Sequence, residues 1–146
     1  MTIKFAQRLF LGAGIYGIAV IVPMFFLEHM IGEHDPPSIT HAEFYYGFVC
    51  AAFAWQVVYL MMSREPIRLR PMLIPAIMGK AGFAISVFVL LAQGRLAAQN
   101  IVLPTVDLLL AALFAWAYVA LGSYREQGTG KLFEAENVAG TDRPLE

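Results

Sequence analysis

Hydrophobic residues along this chain fall into four long runs separated by short polar breaks. The runs are Leu9–Leu27, Phe44–Met62, Met72–Ala92 and Ile101–Gly122, each about 19–22 residues. A hydrocarbon core about 30 Å thick takes roughly 20 helical residues at about 1.5 Å each, so each run predicts one crossing. Backbone amides and carbonyls in lipid have to be bonded within their own segment, which leaves helices as the solution for an open chain. The pattern predicts an all-α integral membrane protein: four transmembrane helices within residues 1–123, then a polar tail over 124–146. Short loops make consecutive helices antiparallel neighbours, an up-down-up-down bundle. The tail, YREQGTGKLFEAENVAGTDRPLE, is expected to be largely disordered or to lie on the cytoplasmic surface.

Composition agrees. Of 146 residues, 59% are hydrophobic and 14% charged, against roughly 45–50% and about 25% in a soluble domain. A net charge of −1 gives no reason to expect a nucleic-acid partner. The single cysteine, Cys50, rules out an internal disulfide and reads as a small buried side chain. Lys4 and Arg8 precede the first run as they would in a signal peptide. Yet Phe25, Phe26, Leu27, Glu28 and His29 stand where a small-x-small cleavage site would be needed, so the run reads as a retained span.

The basic residues set an orientation. Lys4 and Arg8 lie before the first run, Arg64, Arg68 and Arg70 in the second loop, and Arg125, Lys131 and Arg143 in the tail. The first loop has no Lys or Arg and the third only Arg95. The positive-inside rule then predicts cytoplasmic termini and an outward-facing first loop, in a cell inner (plasma) membrane. Small residues at helical spacing mark expected contacts: Ala13 and Gly17, then Gly79, Gly82 and Ser86, then Ala111 and Ala115. GAGIYG matches the dinucleotide fingerprint G-x-G-x-x-G, but it lies inside a span with no strand before it, so its glycines read as packing residues.

Ionisable groups inside a span are functional candidates by default, since a central Lys or Asp costs roughly 2.5–3.5 kcal/mol on insertion scales. Lys80 and Asp107 qualify. Counting about 1.5 Å per residue from the nearer helix end places Lys80 in the inner half, with Gln56, Tyr59, Tyr16 and Tyr118 within about a turn of that layer. The expectation is an interior polar seam in which Lys80 meets Gln56 and one or more tyrosines. The alternative is a Lys80 that snorkels to the interface. A direct Lys80–Asp107 pair is the less favoured arrangement: the two Cα levels differ by about 10 Å, which long side chains and tilt would have to close. Asp107 lies nearer in depth to Arg95 and Glu43, and an arginine fork between two carboxylates would hold an outer charge cluster. Glu43 has a competing use, because Thr40-His41-Ala42-Glu43 reads as a capping box.

All three histidines sit in LEHMIGEHDPPSITHAEFY, residues 27–45. His29 and His34 are about 140° apart around a helix, and Gly32 is expected to end the first helix between His29 and Glu33. The spacing matches no metal-ligand pattern, so a solvated acidic loop is the leading reading. A proton-sensitive or ligand-contacting loop and a metal site built from His29, His34, Asp35 and His41 are the narrower ones.

Glu43-x-x-Tyr46-Gly47, the turn Arg64-Glu65-Pro66 followed by Arg68 and Arg70, Gly94-Arg95, and Asp107 early in the last run together resemble the DoxX-like families of small four-helix bacterial membrane proteins. The resemblance covers residues 5–123. It implies Glu43, Arg95 and Asp107 as a shared polar cluster, an accessory role beside a redox partner, and a quinone as the cofactor in reach. The histidine loop and Lys80 fall outside that pattern. Three functions follow as expectations: first, a non-catalytic accessory subunit or binder of a lipid-like molecule, partnered by the bilayer and by another membrane protein or its own copies. The second is a small-solute or proton-coupled transporter using Lys80 and Asp107. The third is a membrane enzyme with a histidine and carboxylate site at the outer face.

Overall fold

Each apolar run becomes a helix in the computed structural model, which describes residues 1–34 and 38–141, with side chains through residue 124 apart from that of His34. The helices are α1 (Ile3–Met24), α2 (Glu28–His34), α3 (Ala42–Arg64), α4 (Leu73–Ala92) and α5 (Val102–Thr141). Single 3-10 turns, Arg70–Met72 and Ala98–Ile101, lead into α4 and α5. No strand occurs among the described residues. Four segments are long and apolar enough to cross a membrane: Ile3–Met24, Ala42–Arg64, Arg70–Ala92 and Ala98–Tyr124. The chain divides into two compact units, Thr2–Pro66 and Ile67–Glu146.

In the first unit α1 packs on α3. α1 starts six residues before its apolar run because Thr2 caps it, its Oγ1 accepting from the Phe5 N–H at 3.3 Å. It stops at Met24 instead of continuing to Gly32, which corrects the sequence expectation. Pro23 has no N–H to give to Ala19 O, and at the helix end the Met24 carbonyl accepts from the Tyr45 hydroxyl at 2.7 Å and the Leu27 N–H at 3.4 Å. Gly32 lies inside the separate helix α2. The buried residues Ala6, Phe10, Ala13, Gly14, Gly17 and Ile21 step by three and four along one face of α1. A Cβ on Gly14 would lie 2.8 Å from Leu60 Cδ2 and 3.2 Å from the Gln56 carbonyl oxygen, so the two backbones approach closely there. Of the GAGIYG glycines, 14 and 17 are packing residues, as the sequence predicts, whereas Gly12 is exposed and a Cβ there would meet nothing within 4 Å. Two expectations fail on α3. Cys50 is exposed instead of buried. The N-cap is His41, with no side-chain cap bond, so Thr40 and Glu43 form no capping box.

In the second unit α4 packs on α5. Leu73, Ala76 and Ala84 are buried on α4, and Pro104, Ala111, Phe114, Ala117 and Leu121 on α5. The small-residue contact predicted at Gly79, Gly82 and Ser86 is absent: all three are exposed, and a Cβ on either glycine meets nothing within 4 Å. Ala115 is likewise exposed, one step round from the fully buried Phe114. Gly94, at φ 68°, closes α4. The Arg95 N–H reaches back to Leu90 O at 2.9 Å and the Gly94 N–H to Leu91 O at 3.0 Å, a Schellman end that needs the left-handed conformation. From residue 124, where the sequence leads one to expect a tail that is disordered or lies on the cytoplasmic surface, α5 runs on to Thr141. No proline falls between Pro104 and Pro144, and Gly128 and Gly130 each weaken a helix by only about 1 kcal/mol.

Candidate functional site

Each unit carries its own polar centre. In the second, Lys80 shares the face of α4 that buries Leu73, Ala76 and Ala84, at steps of three and four. Its Nζ donates to Asp107 Oδ1 on α5 at 2.6 Å. The two side chains are only 12% and 21% exposed. The structure therefore makes the direct pair that depth counting disfavoured. Counting assumed that α4 ends and α5 begins at one level. The Ala98–Ile101 turn instead packs against α4, and the long Lys80 side chain reaches Asp107 Oδ1 directly. Away from water the attraction between such charges rises several-fold, while each charge alone would carry a desolvation penalty of several kcal/mol. The pair is nearly neutral as a unit and bridges the hairpin.

The centre of the first unit is uncharged. Gln56 on α3 is 6% exposed, and its Nε2 donates to Ala52 O one turn back at 2.8 Å. Its Oε1 is buried without a hydrogen-bond partner. A Cβ at Gly17 would collide with this amide, so the glycine hydrogen occupying that direction points at Oε1, the geometry of a weak Cα–H···O contact. Tyr59, one turn on, is buried with its ring 6.1 Å from that of Trp55. Tyr16 is 37% exposed on α1. Gln56 and Tyr59, three residues apart on α3, are thus both buried on one face of the helix.

Tyr118, the remaining seam candidate, belongs to a cluster that the sequence did not single out. The Arg70 Nε donates to the Tyr118 carbonyl at 2.7 Å, and the guanidinium carbon lies 4.0 Å over the Tyr118 ring. A Cβ on Gly122 would come within 2.8 Å of Arg70 Nη2. Arg70 thus pins the turn before α4 to α5. In the sequence it reads only as one of several loop arginines, and no spacing rule distinguishes it from Arg64 or Arg68.

The outer charge cluster expected of Glu43, Arg95 and Asp107 does not form as drawn. Asp107 turns to Lys80, and Glu43 Oε1 lies 3.5 Å from His41 Nδ1. Arg95 is exposed and, among the described residues, faces no carboxylate at ion-pair distance. His29 and Glu33, expected to be separated by a helix end, lie on the same short helix with Nδ1 and Oε1 3.5 Å apart. Both are well exposed, which limits the contact to the weak surface class. Tyr46 donates to Glu28 Oε2 at 2.9 Å, tying α2 to α3. Among the described residues no three His, Cys, Asp or Glu side chains gather to hold a metal ion. The side chains of His34 and Asp35 lie outside the described residues, so the four-residue set with His29 and His41 does too.

Gln56 Oε1, the seam atom left without a partner, is an acceptor, as are the carbonyls of a quinone, so these atoms would not bond each other. No family model, curated protein or solved structure matches this chain.

Proposed function

We propose that this chain is a non-catalytic multi-pass protein of a bacterial inner membrane, crossing the bilayer four times up-down-up-down with both termini cytoplasmic, and serving as an accessory subunit that holds lipid. One observation carries the reading: charge is turned inward while bulk apolar surface is turned out. Met78, Val119, Leu109 and Ile85 are 70%, 70%, 61% and 58% exposed on helices of membrane-spanning length, a surface suited to acyl chains. Lys80 meanwhile spends its charge on Asp107. The groups that would do chemistry hold helices together instead. The resemblance to DoxX-like proteins adds the expectation of a membrane partner.

Affinity purification of the full chain from native membranes, with mass spectrometry of co-purifying proteins and lipids, tests this. A stoichiometric membrane partner or a retained lipid is expected. Recovery of the bare chain with neither would overturn the proposal.

A second reading has one observation in its favour. The Lys80–Asp107 pair keeps some exposure, as a proton or solute relay would require. Lys80→Met should then abolish uptake in vesicles. Full uptake by that variant would remove the transporter, whereas an accessory subunit keeps its partner when Lys80→Met and Asp107→Leu are combined.

A further inference from the structure

At the open end of the α1/α3 hairpin lies a groove of about 370 Å³ lined by Lys4, Gln7, Arg8 and Leu11 of α1 and Ser63 of α3. We infer that this groove binds the phosphodiester of an anionic glycerophospholipid, with the phosphate between Lys4 and Arg8. The inference rests on the membrane reading above and names a ligand for it.

Four observations lead there. First, the charge is unbalanced: no carboxylate lines the groove, the first turn of α1 contains no acid, and neither Lys4 nor Arg8 has an ion-pair partner among the described side chains. Second, Lys4 sits in the first turn of α1, where the aligned peptide dipoles are already positive, and Arg8 follows one turn on, so like charges gather there and favour an anion. Third, positions 4, 7, 8 and 11 fall on one helical face, so the lining runs from Lys4 past Gln7 and Arg8 to Leu11, which lies about 10 Å beyond Lys4 at 1.5 Å per residue. That sequence matches a phospholipid from its phosphate down to its first methylenes, and a free phosphate would have no use for the leucine. Fourth, Ser63 Oγ has already donated its hydrogen to Leu60 O at 2.7 Å. It offers only lone pairs to the groove, and thus accepts from a headgroup hydroxyl. A glycerol headgroup supplies both the anionic phosphate and the hydroxyl.

The test is native mass spectrometry of the full-length protein in neutral detergent, with added phosphatidylglycerol or phosphatidylcholine. The wild type should retain phosphatidylglycerol over phosphatidylcholine by roughly tenfold, and Lys4→Gln combined with Arg8→Gln should erase the preference. Arg95→Gln, an exposed arginine on another helix end, should leave it intact. Ser63→Ala should weaken phosphatidylglycerol about threefold while sparing phosphatidic acid, which has no headgroup hydroxyl. Circular dichroism guards against misfolding, and the glutamine pair, freed of its like-charge repulsion, should melt no lower than the wild type without lipid. Undiminished preference in the folded glutamine pair would overturn the inference. Displacement of the lipid by millimolar inorganic phosphate or glycerol 3-phosphate would do the same, assigning the groove to a soluble phosphate ester. Release of the chain from membranes by alkaline carbonate would instead bring down the membrane reading itself, so the two failures are told apart.

Discussion

In the α1/α3 hairpin a glycine meets an amide, whereas in the α4/α5 hairpin a lysine meets a carboxylate. Gln56 is buried because Gly17 makes room for it and the backbones approach closely at Gly14. Its Nε2 stays on its own helix, and Oε1 remains an acceptor without a donor. An unsatisfied buried acceptor costs about 1–3 kcal/mol, of which a weak Cα–H contact returns a part. At its polar centre the second hairpin needs no close glycine. Gly79 and Gly82 face open space, and the long Lys80 side chain spans to Asp107 instead. An uncharged group can thus be buried by steric fit alone, while a charge requires its opposite across the helix pair.

The contrast can be broken from its charged side first. Asp107→Ala strips Lys80 of its carboxylate, and loss of one member of a largely buried pair should destabilise the protein by about 3 kcal/mol. Chemical denaturation of the full chain in detergent reads this, and the double change Lys80→Met with Asp107→Leu should recover most of the loss. An Asp107→Ala protein as stable as the wild type would mean that the pair holds nothing.

A smaller effect is expected on the uncharged side. Gly17→Ala drives a methyl into the Gln56 amide and should cost about 1–3 kcal/mol. Adding Gln56→Ala removes the collision, so the two changes should couple by about 0.5–3 kcal/mol in a double-mutant cycle. Simple additivity would show that the amide does not rest on the glycine. The smallest effect sharpens the comparison by reversing sign. Gly79→Ala meets no neighbour and should stabilise α4 by roughly 0.5–1 kcal/mol through lost backbone freedom. A loss at Gly79 as large as at Gly17 would reveal an unrecognised contact on that face.

Much of the fold was legible. Four helices follow from run length, and Ala13, Gly17, Gln56 and Tyr59 follow from helical spacing, since one face at 3.6 residues per turn is a local property. Which face of α4 turns inward was not legible. Gly79, Gly82 and Ser86 form as regular a stripe as Leu73, Ala76, Lys80 and Ala84, and only the partner helix chooses between them. The Lys80–Asp107 pair was hidden for a related reason. It depends on the stagger of α4 and α5, which no local pattern specifies, and the Ala98–Ile101 turn between them contacts both helices. Arg70 over Tyr118 joins residues 48 positions apart, a distance over which no local rule operates.

The amino-acid order by itself determined the number of helices, their apolar character, and which residues had to be shielded from lipid, because these depend on transfer energies and backbone bonding summed over short stretches. Tertiary structure alone decided who shields whom: an amide lies on a glycine in one hairpin and a lysine bonds a carboxylate in the other. Pairing of that kind depends on the stagger between packed helices, which turns and side-chain bulk fix only once the chain has folded.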